Sequence, residues 1–184
     1  MQALRERGLS LDESSRLGAW LRLLDQWNAR VNLTGLRSLE LLLQHLVDPV
    51  LAIRDLPESG SLLDIGSGNG SPGLIWAALR PDLRVTLLEP RLKRWAFLRD
   101  AVRAIGRPDT RVLRDRHDEY EGPGAETVSV RALALPLDEI SRLILPRGRL
   151  VVLGAPPTLG VHWQADAQPW PGVHVLRCRV DSSR

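Results

Sequence analysis

The chain has 184 residues, of which 43% are hydrophobic and 26% are charged, as is typical of one globular domain and not of a disordered chain. Its single cysteine, Cys178, excludes an internal disulfide and any zinc site built on several thiolates. The formal net charge is +3, and residues 80–116 alone carry +6. This segment is either a solvated helix face or a surface that binds a polyanion.

The first 58 residues predict helices. Ser10 and Glu13 have the spacing of a capping box, which satisfies free backbone N–H groups at a helix start. Helical spacing then predicts one apolar face, formed by Leu17, Trp20, Leu21, Leu24 and Trp27. A second such face follows, and we expect Pro49 to kink or restart its helix because proline lacks an N–H. We expect residues 1–58 to form a helical extension packed on a core of residues 59–184, the two making one structural domain.

From residue 59 onward, predicted strands alternate with predicted helices. Short apolar runs predict strands at residues 62–65, 85–88, 111–113, 128–130 and 150–153. Helices are predicted at residues 72–80, 92–105 and 137–145. Residues 174–180 alternate and predict a late edge strand. This order predicts an α/β fold, a mostly parallel sheet with helices on both faces.

A glycine-rich segment, residues 64–73, stands between the first predicted strand and its helix. Glycines let a backbone turn sharply and approach a ligand, and the helix start adds free N–H groups. Residues 68–73 match the dinucleotide fingerprint, so an NAD-linked oxidoreductase is one alternative. Asp64, two residues before the first glycine, would repel a pyrophosphate but suits the ammonium group of S-adenosylmethionine. Asp64 therefore favours the methyl donor, whereas Glu89 at the end of the second strand suits a ribose under either alternative.

Four further elements surround this loop in order. They are Trp27-Asn28 with Asn32-Leu33-Thr34, then His45 with Asp48, then Leu87-Leu88-Glu89 with Lys93-Arg94 and Phe97-Leu98, then Val130-Arg131-Ala132. With the glycine loop they cover about residues 17–154. Together they resemble the bacterial small-subunit (16S) ribosomal RNA guanine-N7 methyltransferases, the glucose-inhibited division protein B family.

The resemblance implies a class I, Rossmann-like methyltransferase fold with a helical N-terminal extension and S-adenosylmethionine as cofactor. The resemblance, together with the suitability of Asp64 for the ammonium group, gives one set of candidate cofactor residues: Asp64, Gly66, Gly68, Ser71, Glu89, His117, Asp118 and Arg131. Within this set Glu89 would hold the ribose, while His117 and Asp118 would flank the adenine, although a solvated loop is the other interpretation of that pair. Arg131 would stand at the pocket rim near the acceptor and is the catalytic candidate. A charged residue that ends a buried strand needs a partner, and an active-site crevice supplies one.

The implied reaction is methyl transfer to guanine N7 of 16S ribosomal RNA. Guanine N7 carries a lone pair and no proton, so its attack on a sulfonium methyl group needs no general base. Positioning and desolvation can then supply most of the rate. The four histidines are scattered along the sequence, at His45, His117, His162 and His174. We therefore expect no bound metal, and the pattern suits methyl transfer better than hydrolysis.

The basic segment supplies candidate RNA-binding residues on or before the helix that follows Glu89: Arg91, Lys93, Arg94, Arg99 and Arg103. Like charges at Arg99 and Arg103 disfavour an isolated helix by roughly 0.2–0.5 kcal/mol, and RNA phosphates would reverse that effect. Ion pairs along the helix are the other interpretation. We expect small-subunit ribosomal RNA or the assembling subunit as partner, and a monomer. With no targeting or membrane-spanning pattern in the sequence, we expect a cytoplasmic protein.

Three departures from the family pattern bear on activity. The family commonly has a lysine after the fifth strand, where this chain has Gly154-Ala155-Pro156-Pro157. Ser71 replaces a bulkier apolar residue. The chain stops soon after residues 174–180, so we expect the last antiparallel strand to be missing or very short. A degenerate relative that binds the cofactor or RNA with little catalysis is therefore a second hypothesis.

Overall fold

A computed structural model describes residues 1–57, 60–133, 135–159 and 162–178. Within these ranges seven strands form one sheet in the order β3-β2-β1-β4-β5-β7-β6. The strands are β1 (Gly60–Ile65), β2 (Leu83–Leu88), β3 (Arg111–Leu113), β4 (Ala125–Arg131), β5 (Ile144–Leu153), β6 (Trp163–Trp170) and β7 (Val173–Cys178). The first five run parallel, and β7 lies antiparallel between β5 and β6.

The described helices are α1 (Gln2–Arg5), α2 (Leu11–Val31), α3 (Leu39–Leu42), α4 (Asp48–Leu51), α5 (Gly73–Leu79), α6 (Leu92–Ala104) and α7 (Leu137–Ser141). The capping box at the start of α2 is confirmed. The Ser10 hydroxyl accepts a hydrogen bond from the Glu13 backbone N–H, and the Glu13 carboxylate accepts one from the Ser10 N–H. Both bonds satisfy donors that a helix start leaves free.

A π-helical turn (Leu43–Val47) joins α3 to α4. Pro49 has no N–H, so the carbonyl oxygen of His45, four residues earlier, loses its α-helical donor. The turn widens before this point, and the N–H of Asp48 donates to the carbonyl of Leu43 five residues back. The prediction that Pro49 interrupts this helix is confirmed, and the His45 carbonyl is left to bond elsewhere.

The two faces of the sheet are covered unequally. One face carries α2, α4, α5 and α6 over a core in which Trp20, Trp76 and Phe97 are fully buried. In the described ranges, the other face carries α7 and loops, with a smaller core that includes Tyr120 and Trp163. β5 and β6 run parallel with β7 between them, and nine residues connect the two. A crossover between parallel strands usually takes a dozen or more residues and includes a helix. No helix in the described residues is long and apolar enough to cross a membrane.

Three predictions for the C-terminal half are wrong. The helix predicted at residues 137–145 ends at Ser141, because Ile144 already pairs with Ala125 in the sheet. The last antiparallel strand is present as β7, which pairs with β5 and β6. The edge strand predicted at residues 174–180 corresponds to β7, which lies between β5 and β6 and not at an edge of the sheet. Residues 179–180 lie outside the described residues. No sequence pattern indicated β6, because residues 164–170 are exposed and show no alternation of burial.

Candidate active site

The glycine loop between β1 and α5 is folded against the end of β2. The backbone N–H groups of Gly66 and Ser67 donate to the carbonyl oxygen of Leu88 at 2.9 and 3.0 Å. Gly66 and Gly68 have φ angles of +70° and +48°, and residues with a Cβ rarely adopt such positive φ angles. The loop therefore requires glycine at both positions.

Glu89 follows β2 and holds the loop from the other side. It is 3% exposed. One carboxylate oxygen accepts from the N–H of Gly68 at 3.0 Å, and the other accepts from the N–H of Arg91 at 2.9 Å. The backbone thus fixes both carboxylate oxygens beside the glycine loop.

A cavity of about 510 Å³ lies beyond the carboxyl ends of β1, β2 and β4, where ligands bind in open α/β sheets. The predicted cofactor residues in its wall are Gly66, Gly68, Ser71, Glu89, His117 and Arg131. Two predicted RNA-binding residues, Arg91 and Arg94, also line it. The structure thus brings together predicted residues from four separate stretches of sequence around one cavity.

Asp64 is not among the lining residues. It lies at 1% exposure under the loop, and its Oδ1 accepts a hydrogen bond from the Ser129 hydroxyl at 2.6 Å. Burial raises the pKa of Asp64 to about 6, although the bonds from Ser129 and Ser67 oppose this shift. In this structure the carboxylate supports the floor of the loop and does not face the cavity.

Arg131 ends β4 and joins the site to the N-terminal helices. Its Nη2 donates to the carbonyl oxygen of His45 at 2.5 Å, the carbonyl that Pro49 leaves without a helical donor. Its Nη1 lies 3.5 Å from the hydroxyl of Ser71, which donates to the carbonyl of Leu46 at 2.9 Å. The serine that departs from the family pattern is therefore used as a hydrogen-bond donor.

The predicted adenine-flanking pair is divided between the cavity and the surface. His117 is 8% exposed and lines the cavity, with its Nε2 2.9 Å from Oε2 of Glu139 in α7. Asp118 is exposed and does not line the cavity. Two hydrogen bonds from Arg116 lower the pKa of Asp118 to about 2. Only His117 of this pair is placed to touch a ligand.

The predicted RNA-binding residues occupy two positions. Arg91 and Arg94 stand at the cavity, between it and the rest of α6. Three others are exposed elsewhere on α6: Lys93, Arg99 and Arg103. The guanidinium of Arg99 lies 4.9 Å from the ring centre of Trp95, a cation–π arrangement. The basic residues thus extend from the cavity edge along the helix.

Sequence reasoning missed several residues of the site. Leu33, Leu133, Leu135, Asp115 and Arg116 also line the cavity. Leu33 belongs to one of the motifs on which the family resemblance rests, and this motif was the sequence signal that could have placed Leu33 in the site. Trp20 was assigned to the core alone, yet its indole Nε1 donates to the carbonyl of Asn69 in the glycine loop at 2.9 Å.

Parallel strands in the order 3-2-1-4-5, an antiparallel strand 7 inserted before strand 6, and a glycine loop after strand 1 define a Rossmann-like methyltransferase fold. The sequence model of the family described as rRNA small subunit methyltransferase G matches residues 13–154. The chain belongs to this family.

Curated relatives named ribosomal RNA small subunit methyltransferase G are similar over most of the chain. One from Neisseria meningitidis serogroup C / serotype 2a is 37% identical over 137 residues, covering 73% of this chain and 66% of the relative. One from Paracoccus denitrificans is 32% identical over 160 residues, covering 84% and 80%. The chain thus spans slightly less than two thirds of the length of the Neisseria relative.

Solved structures share the fold at low sequence identity. A point mutant of MtNAS in complex with S-adenosylmethionine matches with a TM-score of 0.61 and 12% identity, covering 89% of this chain and 71% of that one. TrmN from Thermus thermophilus matches with a TM-score of 0.53 and 22% identity, covering 71% and 48%. These matches establish the architecture of the sheet and leave the reaction to be argued from the site.

Proposed function

We propose that the protein transfers a methyl group from S-adenosylmethionine to guanine N7 of 16S ribosomal RNA, in the cytoplasm. The observation that carries this proposal is the cavity at the carboxyl ends of β1, β2 and β4, walled by the glycine loop and Glu89. Family membership supports the reaction type.

The residues of the cavity fit the cofactor. A carboxylate offers about four acceptor sites, so Glu89 can keep its two backbone bonds and still accept from two ribose hydroxyls. A Cβ built on Gly68 would be in van der Waals contact with the Gly66 carbonyl oxygen at 3.6 Å, with Arg94 Nη1 at 3.7 Å and with Glu89 Oε2 at 3.9 Å, so a side chain here would occupy space beside Glu89. We propose that Gly66, Gly68 and Ser71 shape this part of the site and that His117 borders the adenine.

When bound, the cofactor supplies a methyl group on a positively charged sulfur. The acceptor nitrogen brings its own lone pair, so the chain has to position the two reactants and exclude water. Arg131, held between the His45 carbonyl and the Ser71 hydroxyl, lies in the wall of the cavity. We propose that Arg131 orders this wall, and that Asp64 supports the loop from below.

We further propose that the basic residues of α6 bind phosphates of the RNA, either free or in the assembling small subunit. Arg91 and Arg94 line the cavity while Arg99 is exposed on the same helix, so a strand bound at the cavity would pass basic side chains. Each phosphate contact releases counterions and makes affinity depend on salt.

The first experiment separates the cofactor classes and the reaction. Calorimetry should show binding of S-adenosylhomocysteine and not of NAD, and Glu89→Gln should weaken that binding by about tenfold, as expected for losing a charged acceptor. Glu119→Gln, at an exposed position, is the matched control. Labelled methyl groups should enter 16S RNA or small subunits and be recovered as 7-methylguanosine. Tight cofactor binding with no transfer to any RNA would instead support the degenerate relative.

The second experiment tests the RNA surface. The triple variant Arg94→Glu, Arg99→Glu and Arg103→Glu should weaken binding of small-subunit RNA and flatten its salt dependence by roughly 0.7–0.9 per lost contact. The control reverses three exposed arginines of α1 and α2: Arg5, Arg22 and Arg30. An unchanged salt slope in the first variant, or an equal change in the control, would contradict this surface.

A further inference from the structure

A second cavity, of about 670 Å³, adjoins the first beyond the end of β4. Ala132, Leu133 and Leu135 line both cavities. The second cavity is otherwise walled mainly by apolar groups, among them Ile140 of α7, Val152 of β5, and Pro156 and Pro157. We call this second cavity the proline cleft.

The proline cleft follows from the short connection between β5 and β6. Parallel strands usually need a longer crossover with a helix packed on the sheet, and here nine residues make the connection. Residues 155–158 of that connection line the cleft. The cleft therefore lies on the face of the sheet where, among the described residues, α7 is the one helix.

The segment that lines both cavities has an unusual backbone. Ala132 has a φ angle of +49°, a left-handed conformation that costs energy for a residue with a Cβ and is concentrated at ligand sites. Its N–H donates to the carbonyl of Leu153 at 3.0 Å, which fixes the turn to the end of β5. This turn borders both the cavity proposed for the cofactor and the proline cleft.

We propose that the proline cleft receives the acceptor guanine, with Pro156 and Pro157 packing on the base. This assignment rests on the proposed methyl transfer, which requires the two reacting atoms within about 3–3.5 Å. Because Ala132, Leu133 and Leu135 line both cavities, ligands in the two cavities would contact the same short segment and lie side by side. Enzymes that modify a base commonly hold it, turned out of its stack, between apolar side chains.

The charge balance of the step also suits an apolar cleft. The N7 lone pair forms the new bond to the methyl carbon, and the electron pair of the broken bond returns to sulfur, which becomes a neutral thioether. The positive charge passes to the purine. Because an apolar environment disfavours a charge, the cleft holds neutral guanine better than the cationic product, and this difference favours product release.

The test fills the cleft without touching the cofactor cavity. Ala155 lines the cleft and is exposed, so Ala155→Trp places a large ring inside it. This variant should lower kcat/KM for RNA at least about tenfold, the order of one lost stacking contact, and leave S-adenosylhomocysteine binding unchanged. Leu159→Trp is the matched control, since Leu159 is 44% exposed and does not line the cleft. Thr158→Trp is a second filling variant if the first fails to fold.

A readout that needs no catalysis completes the test. Small-subunit RNA carrying 6-thioguanosine is photocrosslinked to the full chain, and the attachment sites are located by mass spectrometry. Crosslinks at residues 155–158 that Ala155→Trp abolishes would support the cleft. The same crosslinks, found together with no methyl transfer by the unsubstituted chain, would overturn the proposed function and leave the cleft standing. Transfer unaffected by Ala155→Trp, with crosslinks elsewhere, would overturn the cleft alone. Absence of both transfer and cleft crosslinks would overturn both.

Discussion

The indole Nε1 of Trp20 donates a hydrogen bond to the carbonyl oxygen of Asn69 at 2.9 Å. Trp20 is fully buried in α2, whereas Asn69 belongs to the glycine loop. Ser71 makes a second bond between the same two layers, from its hydroxyl to the carbonyl of Leu46. The conformation of the loop therefore depends on helices that precede the sheet in sequence.

Replacing Trp20 tests this dependence. Trp20→Phe keeps the buried ring and leaves the Asn69 carbonyl without its donor, which should cost about 1–3 kcal/mol of unfolding free energy. We expect S-adenosylhomocysteine affinity to fall with it, because the loop is freed. Trp95→Phe is the control, since it loses a similar indole bond, to the Val112 carbonyl at 3.2 Å, away from the loop. Equal effects of both variants on cofactor affinity would contradict the coupling.

Asp64 should make stability depend on pH. Its folded pKa of about 6 exceeds the ordinary value of 3.8, so between these values the folded chain holds a proton that the unfolded chain has lost. Stability should therefore fall by about 3 kcal/mol as pH rises from about 4 to about 6, with no further change above. The difference between the native chain and Asp64→Asn in urea unfolding at several pH values isolates this contribution. A difference that does not vary with pH would refute it.

Local sequence patterns were sufficient for most of the fold. The capping box of Ser10 and Glu13 starts α2 as predicted, and the apolar runs at residues 62–65 and 85–88 lie in β1 and β2. Parallel strands that are buried on both faces favour such largely apolar runs. The edge strand β6 was not predictable in this way, because residues 164–170 are exposed and packing imposes no pattern on them.

The site was predictable where the backbone dictates the residue type. Gly66 must adopt a positive φ, and Glu89 follows a strand that ends at the cavity. Contacts between remote side chains and carbonyls were not predictable. Arg131 and the His45 carbonyl are 86 positions apart, and Trp20 and the Asn69 carbonyl are 49 apart. Only the tertiary fold creates these bonds, since no local periodicity specifies them.

Gly73 tests the close packing of α5 on the sheet. A Cβ at this position would lie 2.5 Å from the Asp64 Cβ and 2.7 Å from the Leu87 Cδ2, so the helix start would have to shift. Gly73→Ala should destabilise the fold by about 1–3 kcal/mol, as overpacking does. Gly35→Ala is the control, because a Cβ there meets nothing within 4 Å. Thermal unfolding should separate the two variants, and equal melting temperatures would contradict this packing.

Arg107 should be the most sensitive arginine to remove. Its guanidinium is buried and donates to the carbonyls of Ala77, Arg80 and Leu83, and it also pairs with Asp109 at 2.8 Å. These bonds tie the end of α5 to the start of β2. Arg107→Ala removes the Arg107 donors to the buried carbonyls of Ala77 and Leu83, whereas the Arg80 carbonyl keeps a bond from the Leu83 N–H at 3.1 Å. The loss should cost at least about 3 kcal/mol.

Arg103→Ala is the control for this variant. Arg103 is 63% exposed at its side chain and lies 3.6 Å from Asp100 in the same helix, and such surface pairs contribute about 0–1 kcal/mol. Urea unfolding at neutral pH measures both variants. Because Arg107 does not line either cavity, the Arg107→Ala chain that remains folded should bind S-adenosylhomocysteine with nearly native affinity. A small stability loss in Arg107→Ala, comparable to that of Arg103→Ala, would show that the buried carbonyls find other donors.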